Sequence, residues 1–138
     1  DKLDACRCLA DCYCGLSNDE KAVEALFLGL KYGTPRPELC CDIGKWFFDG
    51  GRFTEAAYWY RQALRNGKET GTDGFMQDEL RGYVPCIQLC VCYDRMGQWK
   101  KAERFNEMAE RVKPGTLACA RNREYFQKRK GENGTKPE

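Results

Sequence analysis

At 138 residues the chain has the length of one domain with a single continuous core. Its residues are 42% hydrophobic and 32% charged, and no apolar run approaches the roughly 18 residues of a membrane span, so the composition predicts a soluble protein with no membrane span. A net charge of +2 is too small to favour nucleic acid as a partner. The chain opens DKLDAC without an initiator methionine, and we expect it to be a piece of something longer.

Helical periodicity predicts seven helices in chain order. They lie at about 2–14, 18–32, 37–49, 53–66, 83–95, 99–112 and 116–130. Ser17, with Glu20 three residues later as a capping-box partner, is predicted to cap the second helix.

The helices repeat a pattern of residue sizes at an offset of 34 residues, and a third copy follows after 12 extra residues. The pattern resembles the tetratricopeptide (TPR) repeat, a helix-turn-helix unit that buries its apolar face only by stacking on neighbours. It predicts an all-α, right-handed superhelix with three TPR-like hairpins (about 3–36, 37–66 and 83–114) and a C-terminal capping helix, together one domain over 1–130. The three copies are Leu9, Ala10, Tyr13, Ala22, Leu26 and Gly29; Ile43, Gly44, Phe47, Ala56, Tyr60 and Ala63; and Leu89, Cys90, Tyr93, Ala102, Asn106 and Ala109.

Two segments fall outside the repeats. Residues 67–82 contain several glycines and are predicted to form an inserted loop, in which Phe75 and Met76 pack back on the helices in preference to contacting a ligand. The polar residues 131–138 are predicted to be a disordered tail.

Ten cysteines in a small secreted chain would suggest a disulfide framework. The repeat register favours core thiols instead, because Cys6, Cys40 and Cys86 share one repeat position and Cys90 takes the small-residue position of Ala10. We therefore expect reduced thiols and a cytoplasmic protein. The four cysteines between residues 6 and 14 could supply thiolates to zinc. They fall on one predicted helix without a turn between ligand pairs, so we predict no metal site and no cofactor.

The sequence predicts no catalytic residues. With no histidine, the chain lacks the commonest acid, base and nucleophile partner. It contains neither a glycine-rich phosphate loop nor a D-x-D pair of the kind that holds a metal-bound sugar nucleotide.

The first helix of each TPR hairpin lines a concave groove, which we predict to be the partner-binding surface. A merely solvated helix face is the alternative. The predicted groove residues are Arg7, Asp11, Lys45, Phe48, Asp49, Ile87, Val91, Asp94 and Arg95.

Aromatic residues are dense in the second repeat, where Trp46, Tyr58 and Trp59 cannot all face the core of single helices. They predict an exposed aromatic patch, of the kind that makes an inter-domain or subunit contact. Covering the inserted loop, or stacking against a carbohydrate, are the alternatives.

Beyond the general repeat, several segments resemble one family. They are 36–44 (RPELCCDIG), 57–64 (AYWYRQAL), 82–97 (GYVPCIQLCVCYDRMG), Lys113-Pro114 and 122–126 (NREYF). Together they resemble the C-terminal TPR region of bacterial (Clostridium- and Bacillus-like) family 2 glycosyltransferases, over about residues 3–127. In that family an N-terminal catalytic domain binds a nucleotide sugar and a divalent metal, and this chain has no counterpart of it.

The resemblance implies a non-catalytic interaction module from a parent enzyme that transfers sugar. Its expected partner is a protein or peptide, the parent's catalytic domain or a second copy in a homodimer, and its expected roles are acceptor recognition, domain packing and self-association. A stand-alone TPR adaptor that binds a peptide in its groove is the alternative. A thiol-based zinc or redox protein is a third hypothesis.

Overall fold

The fold is given by a computed structural model that describes residues 2–33, 35–69 and 82–133, with backbone alone at 67–69 and 132–133. Within these ranges the chain is entirely helical apart from its turns, which confirms the all-α prediction. The helices are α1 (Lys2–Gly15), α2 (Asp19–Leu28), a 3-10 helix (Gly29–Tyr32), α3 (Pro37–Asp49), α4 (Phe53–Glu69), α5 (Val84–Arg95), α6 (Trp99–Val112) and α7 (Leu117–Asn133).

Two helices extend beyond their predicted ends. α4 passes through Gly67 to Glu69, and α7 passes through Gly131 to Asn133, so the predicted loop and tail each lose three residues to a helix. One glycine costs a helix only about 1 kcal/mol relative to alanine, too little to end it when helix-forming residues surround it. Residues 70–81, including Phe75 and Met76, and the tail residues 134–138 lie outside the described residues.

The helices form three hairpins, in which α1, α3 and α5 are the A helices and α2, α4 and α6 are the B helices. Each A helix packs most extensively on the B helix of its own hairpin, and successive hairpins stack through contacts of α2 with α3 and α4 with α5. α7 then packs on α6 and closes that side of the stack. This arrangement confirms the helical-repeat superhelix that the 34-residue pattern predicts.

Small residues at fixed repeat positions let the helices approach closely. Ala22, Ala56 and Ala102 occupy equivalent places in the three B helices, and none has any exposed surface. In the second hairpin, a Cβ added to Gly44 would lie 3.1 Å from atoms of the Tyr60 ring, which is itself 2% exposed. α3 and α4 therefore cross at a distance that glycine permits.

The predicted cap of α2 is wrong. Ser17 has a positive φ of 58°, and the side chain of the next residue, Asn18, accepts the hydrogen bond from the backbone N–H of Lys21. Ser17 occupies the same repeat position as Gly51 and Gly97, which also have positive φ. The chain reverses between A and B helices at this residue, so the capping role passes to the residue after it.

A buried amide ladder fixes α7 on the stack. The Asn106 amide, 2% exposed, donates to the Cys119 carbonyl oxygen at 3.1 Å and accepts from the Asn122 amide at 3.1 Å. Asn122 also lies 3.8 Å from the Cys90 sulfur of α5. Because these polar groups satisfy one another in the core, they set one position for α7.

Candidate functional site

A cavity of about 640 Å³ opens on the A-helix side, between α1 and α3. Asp19 and Leu26 of α2 and the turn before α4 complete its walls. We call it the A cavity. Its lining residues are Ala10, Asp11, Cys14, Asp19, Leu26, Asp42, Lys45, Trp46, Asp49, Gly50 and Arg52.

Three predicted groove residues, Asp11, Lys45 and Asp49, come together in the A cavity. Lys45 Nζ donates to Asp49 Oδ2 at 2.9 Å, one helical turn along α3, and this hydrogen bond raises the pKa of Lys45. Both side chains are mostly exposed, so the pair contributes little to stability. Its effect is to fix the direction of one cation and one carboxylate at the mouth of the cavity.

Arg7 binds Asp42, a lining residue of the A cavity, and joins the first two repeats. Its Nε donates to Asp42 Oδ2 at 2.5 Å, with each side chain 29% exposed. The hydrogen bond to Asp42 raises the pKa of Arg7. This contact ties α1 to α3, so Arg7 is occupied in holding the cavity wall.

The A cavity is richer in carboxylates than in cations. Four of its lining residues are aspartates and two are basic. Of the two cations, Lys45 is bound to Asp49. Arg52 Nε lies 3.4 Å from the Oε2 atom of Glu55, which is outside the cavity. Arg7 neutralises Asp42 from outside the lining, which leaves Asp11 and Asp19 as the carboxylates that give the cavity a small excess of negative charge.

Trp46 gives the A cavity an aromatic wall. Its indole Nε1 donates to the backbone carbonyl of Asp19 at 3.1 Å, which fixes the ring between α3 and the start of α2. The ring also meets Phe47 edge to face, with centroids 5.2 Å apart. A tryptophan held in this way presents apolar surface without losing further rotamer freedom on binding.

Trp46 lies apart from the other two members of the predicted aromatic patch. Trp59 is half-buried and packs edge to face on Phe27 of α2, with centroids 5.8 Å apart. Tyr58, 57% exposed, contacts Trp59 and lines a second cavity between α4 and α6. Trp46 on α3 therefore belongs to another surface than Tyr58 and Trp59 on α4, whose neighbouring side chains themselves point about 100° apart.

Four other predicted groove residues lie outside the lining of the A cavity, namely Phe48, Ile87, Val91 and Arg95. Phe48 meets Phe53 edge to face at 5.4 Å across the turn between α3 and α4, and the guanidinium of Arg95 lies 6.0 Å from the Phe53 ring centroid. Ile87 packs on a small core cluster that includes Cys86, and Val91 is half-buried on α5.

Asp94 is engaged by the capping helix. Its two carboxylate oxygens accept from the Tyr125 hydroxyl at 2.9 and 3.1 Å, and Arg129 lies 3.7 Å away. Arg129 also lies over the Trp99 ring, 3.9 Å from its centroid. α7 therefore engages Asp94, one of the predicted groove residues of α5, and no residue of α5 lines the A cavity.

The thiols divide into core and surface groups. Cys6, Cys40, Cys86 and Cys90 are buried, while Cys8, Cys12 and Cys14 are exposed. Among the described residues no three cysteine or carboxylate side chains are placed to hold one metal ion. Burial raises the pKa of Cys40 to about 11 and that of Cys90 to about 12, so these thiols stay protonated and unreactive near neutral pH.

No protein-family model and no curated protein matches the chain. Solved structures do resemble it. The N-terminal domain of stress-induced protein-1 (STI-1) from C. elegans superposes with a TM-score of 0.78 at 12% identity, covering 91% of this chain and 94% of that one. MamA superposes with a TM-score of 0.75 at 19% identity, covering 94% and 68%.

A third solved structure carries a ligand. The first TPR of Spaghetti (RPAP3), bound to the HSP90 peptide SRMEEVD, superposes with a TM-score of 0.73 at 11% identity, covering 92% of this chain and 91% of that one. The chain has a TPR fold. At these identities the likeness concerns the fold alone. No helix in the described ranges is long and apolar enough to cross a bilayer.

Proposed function

We propose that the chain is a non-catalytic protein-interaction module that binds a short polypeptide segment in the A cavity. The observation that carries the proposal is the cavity itself, about 640 Å³ of preformed space between two A helices, with charged rims and the fixed Trp46 wall. That volume lies within the roughly 300–1,000 Å³ typical of ligand sites. Helical walls need little ordering on binding, so more of the contact energy remains as affinity. A fold neighbour that is bound to a peptide supports the same role.

The carboxylate excess sets the chemistry of the segment. The peptide SRMEEVD in the fold neighbour carries three acidic residues, and a segment of that kind would meet repulsion from Asp11 and Asp49 here. We propose instead a segment with lysine or arginine beside an apolar residue, the cation facing these aspartates and the apolar side chain facing Trp46. Opposite charge at a rim steers association and selects between partners.

We further propose that the module belongs to a family 2 glycosyltransferase, where it serves acceptor recognition, domain packing or self-association in the cytoplasm. The support is the sequence resemblance over segments such as 82–97. The stand-alone adaptor remains the alternative. Sequencing the complete reading frame separates the two, because a parent transferase requires an alternating β-α pattern with a D-x-D pair upstream of this region.

Fluorescence anisotropy with two matched probes tests the A cavity. One probe is a short blocked peptide of lysine and serine around a single leucine, and the other has glutamate in place of lysine. Asp11→Asn with Asp49→Asn should weaken binding of the lysine probe about three- to tenfold, as expected for two rim charges.

The matched control is Glu24→Gln with Glu107→Gln, which removes the same charge from exposed positions outside the cavity. Equal weakening by the control pair, or no binding of the lysine probe by the wild-type chain, would overturn the proposal.

A further inference from the structure

The cavity that Tyr58 lines is a cleft of about 960 Å³ between the B helices α4 and α6. We call it the B cleft. Arg61 and Arg65 reach it from α4, and Lys101 reaches it from α6. Arg104 joins Arg61 and Lys101 around an adjoining hollow of about 220 Å³. The B cleft shares no lining residue with the A cavity.

The three cations of the B cleft, and Arg104 beside them, have no anionic partner among the side chains that the structure describes. The ion pairs seen there involve other residues, among them Arg7–Asp42, Lys45–Asp49, Arg52–Glu55, Arg129–Asp94 and Lys130–Glu103. The described lining of the cleft contains no aspartate or glutamate. Arg61 and Arg65 are four residues apart on α4, and Lys101 and Arg104 three apart on α6. These spacings put like charges on one helix face, a mildly destabilising arrangement that a bound anion would relieve.

The floor of the B cleft is rigid and aromatic. The Tyr93 ring, 5% exposed, stacks on Phe105 with centroids 5.5 Å apart and planes 6° from parallel. Arg61 Nη1 donates to the Tyr93 hydroxyl oxygen at 3.2 Å, and Lys101 Nζ lies 5.4 Å from the Tyr93 ring centroid. Two cationic groups are thus held over the floor, with most of their donors still free for a ligand.

We propose that the B cleft docks an acidic segment of a partner polypeptide. Carboxylates of the segment pair with Arg65 and Lys101, while an apolar side chain lies against Tyr58 and Leu64. The match is one of charge, since the cleft offers unpaired cations above apolar walls. A single strand of nucleic acid fits less well, because Tyr93 is buried and stacks on Phe105, so this pair offers a base little ring surface.

The same glutamate and lysine probes test the B cleft on the full chain. Arg65→Gln with Lys101→Gln should weaken binding of the glutamate probe at least fivefold and leave binding of the lysine probe unchanged. Raising the salt from about 0.05 M to about 0.3 M should weaken the wild-type complex more than the variant complex. Both substitutions are at exposed positions, and Arg61 keeps its bond to Tyr93.

The control pair is Arg111→Gln with Lys128→Gln, which removes one arginine and one lysine from exposed positions outside the B cleft. An equal loss in this control would overturn the proposal. So would tighter binding of a single-stranded oligonucleotide than of the glutamate probe.

Two other occupants would also overturn the proposal. If Arg65→Gln with Lys101→Gln changes the sedimentation coefficient of the chain, the occupant is a second copy. The stability of the wild-type chain can also be measured against salt concentration. If its salt dependence disappears when Asp73, Asp78 and Glu79 are neutralised, the occupant is the chain's own segment. If the wild-type chain binds the glutamate probe but not the lysine probe, the A-cavity proposal is refuted and the B-cleft proposal stands.

Discussion

Mild alkali should destabilise this protein strongly, because several buried thiols resist ionisation in the folded state. Burial raises the pKa of Cys40 to about 11 and the pKa values of Cys90 and Cys92 to about 12, and it raises that of Cys41 further. Nearby carboxylates raise the thiol pKa values further, Glu38 and Asp42 at Cys41 and Asp94 at Cys90. Two neighbours lower them, since Asn66 hydrogen-bonds to Cys40 and the charge of Arg7 lies near Cys41. An unfolded chain releases the same protons near its ordinary thiol pKa of about 8.5.

The sign and size follow from linkage. Above about pH 8.5 the unfolded state binds fewer protons than the folded state, so the free energy of unfolding falls as the pH rises. The thiols leave the free energy of unfolding unchanged well below about pH 8.5. Above it, this free energy falls until the pH reaches the folded-state pKa values of about 11 to 12. Between about pH 7.5 and 9.5 each thiol lowers the free energy of unfolding by slightly more than about 1 kcal/mol, or by about 5 kcal/mol for the four. A domain is stable by only about 5–15 kcal/mol, so this loss approaches unfolding.

Urea unfolding followed by circular dichroism, in reductant at several pH values, measures this loss. The midpoint should fall by about 2 M or more between the two pH values, at the usual slope of roughly 1–3 kcal/mol per molar urea. Cys90→Ala should remove about a quarter of the pH dependence. Alanine suits that position, since Ala10 fills it in the first repeat. Cys8→Ala, at an exposed thiol, is the control and should leave the slope unchanged. A free energy of unfolding that stays level over this range would show that the thiols are not buried as described.

Two further substitutions test how the helices pack. Asn106→Ala leaves the Cys119 carbonyl and the Asn122 amide without their partner and opens a small cavity, so it should cost about 2–4 kcal/mol in urea unfolding and increase hydrogen exchange in α7 first. Gly44→Ala should lower the free energy of unfolding by about 1 kcal/mol, because the added methyl group lies 3.1 Å from the buried Tyr60 ring. Gly15→Ala, where the added methyl group meets no atom within 4 Å, should be neutral or slightly stabilising. Equal effects at the two glycines would contradict the close crossing of α3 and α4.

The repeat pattern was sufficient to predict the fold because packing between neighbouring helices depends on a few small residues. Ala22, Ala56 and Ala102 recur where helices cross, and all three are fully buried. The same register predicted that the Cys40 thiol lies in the core, and it is fully buried. Leu9 departs from it at 43% exposed, whereas Ile43 at the equivalent position is fully buried. α1 packs mainly on α2 and the 3-10 helix, while α3 has helices on both sides.

The candidate sites were harder to predict, because they depend on how the helices are placed relative to one another. Register alone assigned Phe48 and Asp94 to the groove, but Phe48 contacts Phe53 across a turn and Asp94 binds Tyr125 of α7. The carboxylate excess of the A cavity needed the start of α2, whose Asp19 belongs to no A helix. A sequence signal for the B cleft did exist, in Arg61 and Arg65 one turn apart on α4, although Glu69 stands one turn after Arg65.

Segregated charge explains why composition gave so little information on partners. The net charge of +2 averages a carboxylate-rich cavity between α1 and α3 with a cation-rich cleft between α4 and α6. At physiological salt the screening length is about 8 Å, so an arriving segment responds to the charges of the surface it touches and hardly to the total. Two segments of opposite charge could therefore bind to one chain without competing, and each would be indifferent to neutralising substitutions in the other's site. That independence follows from the absence of shared lining residues, and the crossed set of two probes and two double variants measures it directly.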